Sequence, residues 1–171
     1  GLGKAMARGL VQAGADIVIC SRHEDELLAA LSEILSGTSQ RGKYIVADMA
    51  KREDVLRLAT EAIREMGTID ILVNNAGTNI PQPIDEIKDD DWNAVMEINL
   101  NSVMALTRAL VPQMKERRWG RIIHISSIMG LVSAPGRNVY SVTKSALIGM
   151  ARASALDLGA FGITVNCIAP G

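Results

Sequence analysis

The sequence predicts an α/β fold, in which helices cover both faces of a parallel sheet. Short apolar, β-branched runs alternate with longer amphipathic stretches, as strands and crossover helices do. The apolar runs lack a polar alternate face, which is typical of strands buried on both sides. With 171 residues, of which 48% are hydrophobic and 22% charged, the chain is long enough for one core. We therefore expect a single domain over residues 1–171.

The elements follow one another without a repeat or a low-complexity segment. The predicted strands cover 16–21, 43–48, 69–75, 121–127 and 163–169. The predicted helices cover about 3–14, 24–36, 52–66, 91–117 and 140–159, and the longest begins near the acidic stretch "KDDDW", which favours a helix N-terminus. A glycine-rich turn and a helix open the chain without a strand before them, and "IAPG" closes it directly after a strand. A parallel sheet of this order needs a central first strand, so we expect an internal piece of a longer protein, truncated at both ends.

Composition and charge exclude several classes of partner. Eighteen basic and nineteen acidic residues give a net charge of -1, so no global field favours nucleic acid or an anionic membrane. No apolar run approaches the roughly 20 residues of a membrane span, and no signal peptide is recognisable. Cys20 and Cys167 lie in apolar runs and are expected to be buried thiols in a reducing compartment, which favours a cytoplasmic protein. His23 and His124 have no partners at ligand spacing, so no metal site is expected and His124 is interpreted as a satisfied core or edge residue.

Glycines at the start of the chain suggest a site for a dinucleotide. Gly1, Leu2 and Gly3 precede a helix, where glycines let the backbone approach a pyrophosphate; a flexible chain end explains them equally well. About 20 residues later, Ser21 stands where dinucleotide-binding folds usually carry an acidic residue for the ribose, and Arg22 follows. A hydroxyl and a guanidinium suit a 2′-phosphate, so NADP(H) is favoured and NAD(H) is the alternative. Arg22 also fits a surface position at the strand end.

Polar residues follow two further strands. Asp48 ends the predicted strand 43–48 and Met49 follows it in "VADM", where a carboxylate can accept a hydrogen bond from an adenine amino group. Asn75, Ala76 and Gly77, in "NNAG", form a turn of small residues that can lie against a flat ligand. Ligands of open α/β folds bind at the carboxyl ends of the strands. The polar and small residues at these two strand ends are therefore predicted to contact the cofactor together. Each of them is also an ordinary turn former.

Three further residues suggest acid–base chemistry. Ser127 follows the strand in "HISSIMG", Tyr140 comes thirteen residues later, and Lys144 lies four residues beyond it on one helix face. A free tyrosine, with a pKa of about 10, is a poor acid or base at neutral pH. A nearby ammonium and an oxidised nicotinamide ring would favour the phenolate, and Ser127 would hold a substrate oxygen. The alternative is an unrelated pair on a surface helix.

The motifs "GLG", "NNAG", "INLNSV", a serine thirteen residues before "YSVTK", and "ITVNCIAPG" occur in an order that resembles the classical short-chain dehydrogenase/reductases. The resemblance covers nearly the whole chain and implies a Rossmann-like, doubly wound NAD(P)-binding domain. It also implies a catalytic tetrad of Asn99, Ser127, Tyr140 and Lys144. Tyr140 would exchange a proton with the substrate oxygen that Ser127 stabilises, while Lys144 would lower the tyrosine pKa and hold the nicotinamide ribose. Asn99 would bend its helix and hold a water that links Lys144 to solvent.

The same resemblance implies an oxidoreductase acting on a ketone or secondary alcohol, with Pro170 and Gly171 among its cofactor contacts. A 3-oxoacyl-[acyl-carrier] reductase and a gluconate 5-dehydrogenase-like sugar-acid dehydrogenase are the alternatives. Phe161 stands where reductases that dock an acidic acyl carrier often have a basic residue, which argues against the acyl-carrier reductase. Arg117 and Arg118 are basic residues that still allow such docking. A catalytically silent NADP(H)-binding sensor or scaffold is the alternative from another class. Because the first strand and the substrate loop are missing, we expect the 171 residues alone to be inactive.

The resemblance further implies a homo-oligomer, a tetramer or a dimer, that pairs the two longest helices. The second of these helices carries a small apolar face, for which ordinary core is the other interpretation. That face consists of Val142, Ala146, Gly149, Met150 and Ala153. The basic cluster 115–121 is interpreted as favourable charge at a helix C-terminus, with a docking patch as the alternative.

Overall fold

A computed structural model describes all residues, 1–171, and it shows the predicted α/β class. Strands β1 (Ile17–Ser21) and β2 (Gly42–Val46) form one parallel pair. Strands β3 (Ile71–Asn74), β4 (Gly120–Ile125) and β5 (Ile163–Ile168) form a second parallel sheet in that order. The observed strands mostly end earlier than predicted, so several polar tips lie in the turns that follow them.

Six α-helices connect and cover these strands. They are α1 (Leu2–Gln12), α2 (Glu24–Leu35), α3 (Arg52–Met66), α4 (Asp89–Met96), α5 (Ser102–Arg117) and α6 (Asn138–Gly159). The predicted helix 91–117 is not one regular helix, because a π-helical turn (Glu97–Asn101) separates α4 from α5. None of the helices combines the length and apolar character that crossing a bilayer requires.

The main core lies around the three-stranded sheet. Its 16 buried residues come from β2, the turn after β2, β3, β4, β5, α3, α5 and α6, and Met114 and Ile122 are among those with no exposed surface. A second, small cluster of Ala7, Val11 and Ile34 joins α1 to α2. Val18 of β1 packs against the main core, which ties the two-stranded pair to the larger sheet.

An apolar cleft separates the two sheets. β1 is hydrogen-bonded only to β2, and β3 only to β4, so one edge of each strand faces the cleft without a partner. The cleft has a volume of about 1290 Å³, and 26 of its 39 lining residues are hydrophobic. The cleft therefore lies between β1 and β3.

The cleft changes the interpretation of one cysteine. Cys20 lies on β1 at the cleft and is exposed, so the prediction of a buried thiol is wrong for this residue. The surrounding apolar atoms nevertheless raise the pKa of its thiol to about 11, because they disfavour the thiolate. Cys167 on β5 is half-buried. Both thiols are free, which is compatible with the reducing compartment that the sequence predicts.

Candidate functional site

The predicted site residues gather at the carboxyl edge of the strands. Ser21 ends β1, Asn75 directly follows β3, and Ser127 and Pro170 each lie two residues beyond β4 and β5. The turns after β4 and β5 are joined, because Ile128 N donates to Pro170 O at 2.8 Å. This edge is where open α/β folds bind their ligands.

The N-terminus of α1 is suited to bind an anion at this edge. The helix has no acidic residue in its first turn and no side-chain cap, and its first backbone hydrogen bond runs from Ala5 N to Gly1 O. A Cβ atom at Gly3 would lie 2.7 Å from Asn75 Nδ2, so a larger residue there would require the Asn75 side chain to move. Free amide groups, the positive helix end and this close approach fit the pyrophosphate of a nicotinamide dinucleotide.

The residues assigned to the adenosine half of the cofactor also lie at the carboxyl edge of the strands. The side chains of Ser21 and Asp48 bond the turns in which they lie. Ser21 Oγ bonds the backbone of His23 and shapes the turn after β1, while Arg22 is exposed and takes part in no ion pair. Asp48 lies two residues beyond β2, and its carboxylate accepts from Ala50 N at 3.0 Å, so it is at least a turn former. Met49 packs against the main core.

Tyr140 and Lys144 do not form a surface pair. Lys144 is only 4% exposed, and its Nζ donates to Ile125 O at the end of β4 (2.8 Å). The same Nζ atom lies 5.5 Å from the centre of the half-buried Tyr140 ring. Burial lowers the pKa of Lys144, and only a weak effect of the Cys167 thiol opposes it. An ammonium in this position has no carboxylate partner and is directed toward the site.

Asn99 lies in the π-helical turn and is completely buried. Its Oδ1 accepts from Thr78 N at 2.7 Å, and its Nδ2 donates to Thr78 O at 2.9 Å, so it holds the loop that follows "NNAG". A Cβ atom at Gly77 would lie 3.4 Å from Lys144 Nζ and 3.5 Å from Asn99 Oδ1. The structure therefore brings Asn99, Gly77 and Lys144 together.

The turn after β4 fixes Ser127 beside α6. Ser127 Oγ accepts from Met129 N at 3.1 Å, which leaves its own proton available for a hydrogen bond. Ser126 Oγ donates to Lys144 O at 2.7 Å, and a Cβ atom at Gly130 would lie 2.8 Å from that same carbonyl oxygen. The sequence carries no signal for the bond of Ser126 to α6 or for the close packing at Gly130.

His124 is a core residue whose polar groups are only half satisfied. It has no exposed surface, and its Nδ1 lies 3.0 Å from Asn74 Nδ2, which also donates to Thr107 Oγ1. Its Nε2 has no hydrogen-bond partner, so the prediction of a fully satisfied histidine is wrong. Burial lowers the pKa of His124 to about 4, because the interior disfavours the imidazolium. No three His, Cys, Asp or Glu side chains form a group that fits a metal ion.

The predicted oligomer face on α6 is not core. None of Val142, Ala146, Gly149, Met150 and Ala153 is buried, and Val142 is 45% exposed. Leu156 further along α6 is 86% exposed. The face is therefore open in the single chain.

The basic cluster at the end of α5 is engaged within the chain. Arg117 bonds the Asp70 carboxylate and donates to Ile69 O at 3.1 Å, and Arg118 donates to Ala160 O at 2.8 Å. Arg121 lies over the Trp119 ring at 4.4 Å. These contacts favour a structural role for the cluster over a docking patch.

A parallel α/β fold with these residues at its carboxyl edge is typical of nicotinamide-dependent oxidoreductases. The family model described as short chain dehydrogenase matches residues 1–171, and the chain belongs to this family.

Individual relatives agree with this assignment. The chain is 36% identical to "Nodulation protein G" of Rhizobium sp. (strain N33), and 38% identical to the 3-oxoacyl-[acyl-carrier-protein] reductase of Salmonella typhimurium. In both comparisons 100% of this chain is aligned with 68% of the relative. The crystal structure of an NAD+-bound xylitol dehydrogenase superposes with a TM-score of 0.93 at 29% identity, covering 99% of this chain and 65% of that one. The chain thus spans about two thirds of the length of the proteins it matches.

Proposed function

We propose that the protein is an NADP-preferring oxidoreductase that moves a hydride between the nicotinamide ring and a ketone or secondary alcohol carbon. The observation that carries the proposal is the buried Lys144 ammonium, 5.5 Å from the Tyr140 ring at the ligand-binding edge of the sheet. The bound cofactor would supply or accept the hydride, and the protein would supply position and proton transfer.

The roles of the side chains follow from their surroundings. Tyr140 acts as general acid or base, because its half-buried ring lies beside the Lys144 ammonium at the edge where the ligand is expected to bind. Ser127 has a free hydroxyl proton and stabilises the substrate oxygen. Asn99 keeps the loop after β3 in place through its two bonds to Thr78.

Replacement of Tyr140 by Phe tests this assignment. The variant should lose the chemical step, with kcat reduced by about 10²- to 10⁴-fold, while the Kd for NADPH stays within a few-fold of the unmodified protein. Tyr44 is the other tyrosine in the chain and bonds Glu24 on the surface, so Tyr44→Phe is the matched control. Turnover retained by Tyr140→Phe would refute the role of Tyr140. Cofactor binding without any turnover, by the unmodified protein with its cleft filled, would favour the silent sensor or scaffold.

The preference for NADP rests on Arg22. Its guanidinium is exposed and unpaired, so it is free to bind a 2′-phosphate beside Ser21. Arg22→Asp should lower kcat/KM with NADPH by tenfold or more and leave kcat/KM with NADH unchanged or higher. Arg64→Asp on α3 makes the same change of charge at an exposed site away from this edge. An unchanged ratio of the two cofactors in Arg22→Asp would contradict the preference.

Reduction of a 3-oxoacyl thioester is a second candidate, which the 38% identity to the Salmonella reductase favours. The engaged guanidinium groups of Arg117 and Arg118 and the aromatic Phe161 argue against docking of an acidic carrier protein. A thioester substrate with a small carrier group is compatible with both observations. Oxidation of a sugar acid or polyol, as the name of the xylitol dehydrogenase suggests, is the competing option. Parallel assays with acetoacetyl-CoA, gluconate and xylitol separate these options.

The activity is proposed for a state in which the apolar cleft is filled. An open cleft leaves β1 and β3 without partners next to the proposed cofactor site, so the protein with an empty cleft is expected to turn over slowly or not at all. Robust NADPH-dependent turnover while the cleft is empty would refute that expectation.

We also propose that the protein assembles into a homo-oligomer through the exposed face of α6. The small residues of this face allow close packing, and Leu156 adds a large apolar side chain. Light scattering of the protein and of Gly149→Arg tests this. Loss of the oligomer is expected in the variant, and a monomeric unmodified protein would refute the proposal.

A further inference from the structure

We propose that Thr143 is a positioning residue, whose buried hydroxyl connects Asn99 to the backbone carbonyl of Tyr140. The inference rests on the proposed function, since it concerns the placement of Tyr140 for proton transfer. Thr143 lies in "YSVTK" next to Lys144 and is completely buried. A threonine in a helix is compatible with many environments, so the sequence carries no signal for this role.

The hydrogen bonds around Thr143 form a chain with a fixed direction. Thr78 N–H is a donor, so the atom of Asn99 that faces it is Oδ1 (2.7 Å). Asn99 Nδ2 is thereby defined as the donor that reaches Thr78 O at 2.9 Å and Thr143 Oγ1 at 3.1 Å. Since Thr143 Oγ1 accepts from Asn99, its own proton is free to be donated to Tyr140 O, which lies 2.8 Å away.

This chain connects three elements that carry the site. It runs from the loop after β3, through the π-helical turn that holds Asn99, to the first turn of α6. Asn99 and Thr143, the two side chains in its centre, are completely buried. Water cannot reach them freely, so the loss of one hydrogen-bond partner leaves the other group unpaired at a cost in free energy. The position of Tyr140 is therefore coupled through Thr143 to the loop that approaches Lys144 at Gly77.

A threonine hydroxyl is suited to this place because it both accepts and donates. Valine has nearly the same shape but neither capacity, so Thr143→Val would leave one Asn99 Nδ2 proton and the Tyr140 carbonyl without this partner. Serine keeps the hydroxyl and loses only a methyl group. The pair Thr143→Val and Thr143→Ser thus separates the hydrogen bonds from the packing.

Steady-state kinetics with NADPH and a carbonyl substrate test the proposal. Thr143→Val should lower kcat by about tenfold or more, because a small displacement of Tyr140 weakens proton transfer. The KM for NADPH should stay within about twofold, and Thr143→Ser should recover kcat to within about threefold of the unmodified protein. A purely structural role would lower the unfolding temperature of Thr143→Val without this separation of kcat from KM.

Thr107 provides the matched control. Its hydroxyl is also buried and accepts from an asparagine, Asn74 Nδ2 at 3.2 Å, but it lies on α5 and does not contact α6 through that bond. Thr107→Val should lower stability comparably and leave kcat within about threefold. Equal losses of kcat in Thr143→Val and Thr107→Val, or an unchanged kcat in Thr143→Val, would overturn the inference alone. Turnover retained by Tyr140→Phe, or no turnover by the unmodified protein when its cleft is filled, would overturn it together with the proposed function.

Discussion

The buried imidazole of His124 makes the stability of the fold depend on pH in a defined direction. Burial lowers its pKa from 6.5 to about 4, so the folded protein keeps His124 neutral where the unfolded chain binds a proton. The unfolded state therefore binds more protons between these two values. Stability from this group is fully present above pH 6.5 and is lost as the pH falls toward 4.

The size of the effect follows from the same two values. One pKa unit corresponds to about 1.4 kcal/mol, so a shift of 2.5 units (6.5 minus 4) amounts to about 3 kcal/mol when the loss is complete. Between about pH 7 and about pH 4.5 roughly 2 kcal/mol of this is lost. That is a large part of the about 5–15 kcal/mol that separates most folded domains from their unfolded state.

Urea unfolding at a series of pH values measures this loss. Carboxylates with a lowered pKa, such as Asp54, also lose stability in acid, so the informative quantity is the difference between the unmodified protein and His124→Gln. His124→Gln should flatten the dependence of the free energy of unfolding on pH by roughly 2 kcal/mol over this range. His23→Gln removes the other histidine, which is exposed, and is the control for the loss of an imidazole outside the core.

A direct titration covers the case in which His124→Gln does not fold. In His23→Gln the imidazole of His124 is the only one left, so its NMR signal is assigned without ambiguity. The signal should move only near pH 4. A midpoint close to 6.5, or identical pH dependence in the unmodified protein and His124→Gln, would refute the reasoning.

Two further predictions concern packing and the cleft. Gly130→Ala should lower the free energy of unfolding by about 1–3 kcal/mol, because the new Cβ would lie 2.8 Å from Lys144 O. By contrast, Gly9→Ala on α1, with no atom within 4 Å of the new Cβ, should raise it by roughly 0.5–1 kcal/mol in thermal or urea unfolding. Equal effects of the two variants would contradict the packing at Gly130. In a Cys167→Ser background, Cys20 should react with a thiol reagent slowly near neutral pH and faster up to about pH 11, since a pKa raised from 9.0 to about 11 leaves roughly 100-fold less thiolate. Reaction of Cys20 at the rate of a free small-molecule thiol would show that the apolar cleft does not surround it.

The sequence was sufficient for the fold class and for the place of the site. Alternation of apolar runs and amphipathic stretches reports parallel strands and crossover helices directly, and polar residues after the strands must meet at one edge. Residues four apart lie on the same face of any α-helix, so the proximity of Tyr140 and Lys144 could also be predicted. These inferences depend on local periodicity, which the folded chain preserves.

Features that depend on distant contacts could not be predicted. The resemblance implies a bend at Asn99, but the sequence carries no signal that the bend is a π-helical turn. Arg117 pairs with Asp70, which lies 47 residues earlier in the chain. The exposure of Cys20 depends on what lies beside the cleft-facing edge of β1. Such facts arise from packing between elements, and one sequence carries no signal for them.

The two strand edges at the cleft have a consequence for handling the protein. The inner edges of β1 and β3 present unpaired backbone amide and carbonyl groups on both sides of an apolar space. An open edge of this kind is a template on which a strand from another molecule can pair. As long as the cleft stands empty, concentrated solutions are therefore prone to strand exchange between copies and to aggregation, so colloidal stability reports whether the cleft is filled.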